Sequence, residues 1–174
     1  MRQIQAGTAA VLFSILPATV FAQSAYTNAA KTQFGMIKAN LSKTAAKVPE
    51  ELYSFKPTPE VRSFSELIGH VADANFMICA IAAGEQAPQG GFEKKTAKAE
   101  LAKALDDSIA YCDRVIAGLD DAKGAAMVKL FGMDMPKLSV IDFNTAHCNE
   151  HYGNLVTYMR LKGIVPPSSE RSAR

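Results

Sequence analysis

His147 and His151 stand four residues apart in the stretch 146–154 (AHCNEHYGN), and they are two of only three histidines in a chain of 174 residues. On a helix that spacing puts both imidazoles on one face, one turn apart, where they can converge on a single ion. The third histidine, His70, lies far upstream in another strongly helical stretch. Neutral imidazole suits Zn²⁺, Ni²⁺, Fe²⁺ and Cu²⁺. Three protein ligands with the remaining positions open describe a catalytic or substrate-binding metal site, since structural zinc sites fill all four. The other ring nitrogen of each ligand needs a partner. Glu66 and Asp73, one turn either side of His70, are candidates, as are Asn144 and Asn154.

Two helices must position these residues. At about 100° per residue, Val140, Phe143, Asn144, His147, His151, Asn154, Leu155 and Tyr158 fall on one side of the last helix. Half or more of them are polar, and buried polar groups are costly unless paired. A divalent metal with its coordination sphere is one way to satisfy them. Asn144, Asn154 and Tyr158 are also candidates to orient a substrate. Cys148 adjoins His147, but one residue along a helix is a rotation of about 100°. A bland buried thiol is the favoured reading for it.

Four helical stretches account for most of the chain. The first covers 26–47, with Tyr26, Ala30, Phe34, Ile37 and Leu41 at helical spacing, and Pro49 ends it. A linker over 50–60 contains Pro57 and Pro59, which disfavour helix. The second helix opens on Ser63-Phe64-Ser65-Glu66, the pattern of a capping box, and stops at Gly84. A loop rich in Gly and Pro follows over 85–92. The third helix begins near Thr96 and turns Leu101, Leu105, Ile109, Cys112, Ile116 and Leu119 inward. Residues 120–136 read as a long connection with a short helix around 125–131, since Gly124, Gly132 and Pro136 interrupt any longer element. The fourth helix covers 138–162 and is stopped by Gly163, Pro166 and Pro167. Residues 168–174 read as a mobile tail. Nothing alternates with period 2, so no sheet is expected. The fold class is all-α, an antiparallel-type four-helix bundle over 23–167.

Composition narrows the setting. A formal net charge of +2 gives no electrostatic reason to propose a nucleic-acid partner. Arg2, the short apolar core 9–16 (AAVLFSIL), and Val20-Phe21-Ala22 before Gln23 read as a signal peptide over 1–22. That run is too short to span a bilayer comfortably, and no other stretch is expected to span one. The mature chain would keep 18 basic and 17 acidic residues, nearly neutral. Its expected location is the periplasm or the medium of a bacterium. There, Cys79 and Cys112 on successive helices suit a disulfide, and Cys148 is left over.

The order of elements, together with residues 63–73 (SFSELIGHVAD), 147–155 (HCNEHYGNL) and 158–168 (YMRLKGIVPPS), resembles the DinB/YfiT-like family of four-helix-bundle metalloenzymes. The resemblance spans most of the mature chain. It implies a divalent metal, nickel or zinc before iron or copper, held by His70, His147 and His151. The family's characterised members include transferases and isomerases that use low-molecular-weight thiols inside the cell, which an exported protein would not meet. Two function classes follow. One is a metal-dependent hydrolase or transferase with a small-molecule substrate, in which Glu66 or Asp73 serves as a nearby base. The other is an exported metal-binding or stress-related interaction protein without turnover. A haem-binding bundle using histidine or one of the seven methionines ranks below both. A homodimer is compatible with either class.

Overall fold

The computed structural model describes residues 24–88 and 90–170, so the expected signal peptide lies outside the described residues. Five helices and one hairpin follow in order: α1 (Ala25–Lys47), α2 (Phe64–Ala83), α3 (Lys98–Ala117), α4 (Asp121–Gly124), β1 (Met127–Leu130), β2 (Met133–Pro136) and α5 (Lys137–Leu161). The four long helices form the bundle. Helix α2 packs on α3 and α5, and α1 packs on the same two from the opposite corner.

Cross-helix contacts fix the directions. Lys38 reaches Asp113 and Ser42 reaches Asp106, so α1 and α3 run antiparallel. His70 meets His147 while Asn75 meets Asn144, so α2 and α5 are antiparallel as well. Asn75 meets Ser108 and Cys79 meets Cys112, so α2 and α3 are parallel neighbours. The expected bundle is present, but its chain runs up, down, down, up instead of alternating. The physical consequence lies in the α2–α3 connection: residues 84–97 must travel back along α2 to start α3 at the same end.

Local chemistry explains the boundaries. Helix α2 begins with both halves of the capping box: the Glu66 N–H donates to Ser63 Oγ, and the Ser63 N–H donates to Glu66 Oε2. It ends at Gly84, whose φ of 77° suits a residue without Cβ. The N-terminus of α1 takes its cap from elsewhere in the chain, because the Asp121 carboxylate accepts the backbone N–H groups of Tyr26 and Thr27. Helix α2 has the length and hydropathy to cross a membrane, which the sequence reading excluded, and 67% of that stretch is buried within the protein. It is apolar nearly all round because it is the core helix.

Two expectations for residues 120–136 are corrected. The short helix lies at Asp121–Gly124, not 125–131, and the following residues form a two-stranded antiparallel sheet pairing Val128 with Met135 and Leu130 with Met133. Its Phe131-Gly132 turn has φ of 49° and 83°, positive at both positions as a tight hairpin's twist requires. Leu130 is fully buried and anchors the hairpin to the core. The start of the expected tail is also held: residues Pro167–Ser169 form a 3₁₀ turn, the Ser168 N–H donates to Tyr152 Oη, and Glu170 pairs with Lys47.

Candidate metal centre

Helices α2 and α5 bring all three histidines together across 77 positions of sequence. His147 Nε2 lies 3.1 Å from His70 Nε2 and 3.0 Å from His151 Nε2. One ligand atom from each residue falls within 4.8 Å of the other two. The rings do not stack: the His147 and His151 planes meet at 79°, and those of His70 and His151 at 88°. Nitrogens bound to one ion at about 2.0–2.1 Å, with angles between octahedral and tetrahedral, sit roughly 2.9–3.4 Å apart. The 3.1 and 3.0 Å separations fall in that range. Without a cation, His147 Nε2 has one lone pair or one proton with which to meet two ring nitrogens, and cannot make a full hydrogen bond to both. The donor set therefore fits a divalent metal.

Burial supports the same chemistry. His151 is 6% exposed, while His70 and His147 are part-buried. Burial, then the neighbouring imidazoles, push His151 down to about 4. Burial, then His70, also lower His147. Both rings are thus neutral near pH 7, the form that binds metal.

The acceptor for the third ring comes from the returning loop. Glu93 Oε2 lies 3.0 Å from His70 Nδ1, and Glu93 Oε1 accepts from Arg62 Nε at 2.7 Å. Burial pushes the Glu93 carboxyl up, but the hydrogen bonds from Arg62 and His70 outweigh it and leave it below the ordinary carboxylate value. Glu93 was absent from the sequence-derived candidates. Asp73, one of those candidates, makes no hydrogen bond to His70, whose Nδ1 is taken by Glu93. Its carboxylate accepts from the N–H groups of Gly91, Phe92 and Glu93 at 2.9, 3.1 and 3.0 Å. Gly69 admits this loop, since a Cβ there would lie 2.2 Å from the Phe92 carbonyl oxygen. Glu66 is engaged by the helix cap and lines the cleft described next.

A cleft of about 590 Å³ opens beside His151, walled by Lys56, Arg62, Glu66, Glu93, Glu150, Asn154 and Tyr158 among others. Asn154 is exposed on this wall, so it does not lie inward as the helical wheel suggested. Tyr158 Oη donates to the Arg62 carbonyl at 2.8 Å, tying the cleft wall to α5. Phe143 is likewise on the surface, 37% exposed and set edge-on against Phe131. Asn144 is buried away from the cleft: its Nδ2 donates to Asn75 Oδ1 at 2.9 Å and lies 3.8 Å from both sulfurs of the Cys79–Cys112 disulfide. That bridge joins the parallel pair α2 and α3 with Cα atoms 5.3 Å apart. Cys148 is buried beside Asn75, and burial pushes its thiol up to about 12.

The chain belongs to the DinB superfamily, whose family model matches residues 33–155. A DinB-like protein from Bacillus cereus ATCC 10987 is similar over 80% of this chain and 95% of its own, with a TM-score of 0.71 and 16% identity. A DinB-like protein from Bacillus subtilis is similar over 83% and 100%, with a TM-score of 0.66 and 17% identity. A mycothiol-dependent maleylpyruvate isomerase is similar over 74% of this chain and 60% of its own, with a TM-score of 0.64 and 16% identity. At such identities the likeness establishes the fold, while function rests on the site. No curated protein matches the chain significantly.

Proposed function

We propose that this protein is an exported metal-dependent hydrolase or transferase that acts on a small molecule, with a divalent transition metal on His70, His147 and His151. Nickel or zinc is put before iron or copper on the resemblance to the DinB/YfiT-like family, since imidazole ligands alone suit all four. The observation that carries this reading is the convergence of three Nε2 atoms, 3.0–3.1 Å apart in the two closest pairs, at the wall of a cleft. Three protein ligands leave positions for a substrate, as catalytic sites do. A bound ion there supplies Lewis-acid activation of a substrate or water. The chain's own groups do the rest: Glu93 orients His70, Tyr158 braces the backbone of Arg62, and Lys56, Arg62 and Asn154 present donors along the cleft. The Cys79–Cys112 bridge supports export, because disulfides persist in oxidising compartments.

A metal-binding protein without turnover is the second reading. The observation in its favour is that Cys148, the free thiol among the described residues, is buried and held protonated, so it offers no nucleophile to the cleft. Incubating the nickel- or zinc-loaded mature protein with ester, amide and thiol-transfer substrates separates the two. Turnover that needs the metal and vanishes in His147→Ala supports the enzyme; stoichiometric metal with no turnover across the panel supports the binder. Cell fractionation with intact mass, expected to show a periplasmic or secreted chain starting at Gln23, tests export.

A further inference from the structure

Among the three histidines, His70 alone has a carboxylate on its second ring nitrogen; the Nδ1 atoms of His147 and His151 are buried with no hydrogen-bond partner. The orientation of His70 therefore depends on a residue that no helix holds. Glu93 lies in a 3₁₀ turn, Phe92–Lys94, within the long return from α2 to α3. A loop of that length has many conformations, and fixing them costs entropy that something must offset. The structure supplies one concentrated anchor. Both oxygens of Asp73 accept from three successive backbone N–H groups at 91–93, a charge-assisted cradle that ends on the nitrogen of Glu93 itself.

The anchor and the ligand share one rigid element. His70 and Asp73 are three residues apart on α2 and so face the same side, and Gly69 provides the gap that lets the Phe92 carbonyl settle against that helix. Any shift of the loop is thus registered directly against His70. The Cys79–Cys112 bridge, 33 residues apart in sequence, encloses the same loop in a covalent ring.

We infer that Asp73 is a positioning residue for the metal site: by ordering backbone 91–93 it sets Glu93 against His70 Nδ1, which turns His70 Nε2 toward His147. The inference rests on the three-histidine reading above, and it extends that reading to a residue that touches no ligand. With the ring proton held on Nδ1 by Glu93, the lone pair of Nε2 is presented to the ion, and loss of such a partner weakens metal binding about 10–100-fold.

The test uses the mature protein in two arms. In the metal-free state, imidazole nitrogen–proton correlation spectra report the tautomer of His70. The wild type is expected to hold the proton on Nδ1, while Asp73→Ala and Glu93→Ala lose that preference; Glu93→Gln keeps it, because its amide oxygen still accepts. Calorimetric titration with Ni²⁺ or Zn²⁺ is the second arm. Asp73→Ala and Glu93→Ala should each weaken binding about 10–100-fold, and the double variant should bind no more weakly than Glu93→Ala. Asp73→Asn, which keeps one acceptor oxygen, should fall between wild type and Asp73→Ala and serves if the alanine variant does not fold. An unchanged His70 tautomer in Asp73→Ala, or losses that multiply in the double variant, would overturn the inference. A wild type that takes up neither ion defeats the metal reading alone, and the spectra still decide whether Asp73 sets His70.

Discussion

His147 Nε2 stands 3.1 Å from His70 Nε2, a contact between residues 77 positions apart that joins α2 to α5. A bundle held only by burial would place aliphatic side chains there. This contact instead puts imidazoles on the inner face of α5, and the consequences can be measured.

Stability of the metal-free protein should fall with acidity in a definite window. His151 is pushed down to about 4 by burial and His147 is also lowered, whereas an unfolded histidine takes a proton near pH 6.5. Between those values the unfolded chain binds more protons than the folded one, so stability is full above about pH 6.5 and is lost as pH falls toward 4. His151 alone accounts for up to about 3 kcal/mol. Urea midpoints across pH 4–8 should decline below 6.5, with a smaller decline in His151→Gln. A midpoint that holds steady or rises on acidification contradicts the buried, neutral assignment.

Gly69→Ala should displace the return loop. The new Cβ would lie 2.2 Å from the Phe92 carbonyl oxygen and 2.6 Å from the Glu93 nitrogen. Crowding of that kind costs about 1–3 kcal/mol. Thermal melts should show the loss, and metal titration should show weaker binding because Glu93 moves with the loop. Wild-type stability together with wild-type affinity would mean that the loop does not sit against α2.

Replacing both bridged cysteines, Cys79→Ala with Cys112→Ala, frees a loop of 33 residues. The expected loss is roughly 3 kcal/mol, or about 10 °C in Tm for a domain of this size. Calorimetry on the reduced wild type should show a similar drop.

Cys148 should resist alkylation in the folded protein. Its thiol is buried and pushed up to about 12, so almost no thiolate exists at pH 8. Iodoacetamide at that pH should leave it unmodified until denaturant is added, as read by intact mass. Rapid modification of the native protein would place Cys148 at an accessible surface instead.

The His147–His151 pair and the four long helices were legible in the sequence because each depends on short-range spacing: the i, i+4 histidines, the Ser63–Glu66 capping box, and the Gly84 stop. Glu93 was not, since its role depends on α2 and α3 being parallel, which no local pattern states. That topology also moved Asp73 from a presumed partner of His70 to the anchor of the loop. The hairpin leaves little trace in the sequence because its strands have only four residues each and its turn places Phe131, not Gly or Asn, at the first left-handed position. Asn144 shared the wheel position of a ligand but pairs with Asn75 inside the core, where polarity is satisfied within the protein and no metal is required.

The most direct measurement is elemental analysis of the purified mature protein beside His147→Ala, chosen because His147 is the histidine within reach of both others. The wild type should carry one nickel or zinc ion per chain and the variant none, with the variant still folded by circular dichroism. A metal-free wild type that refuses added Ni²⁺ and Zn²⁺, or a His147→Ala variant that keeps its full complement, would contradict a three-histidine metal centre.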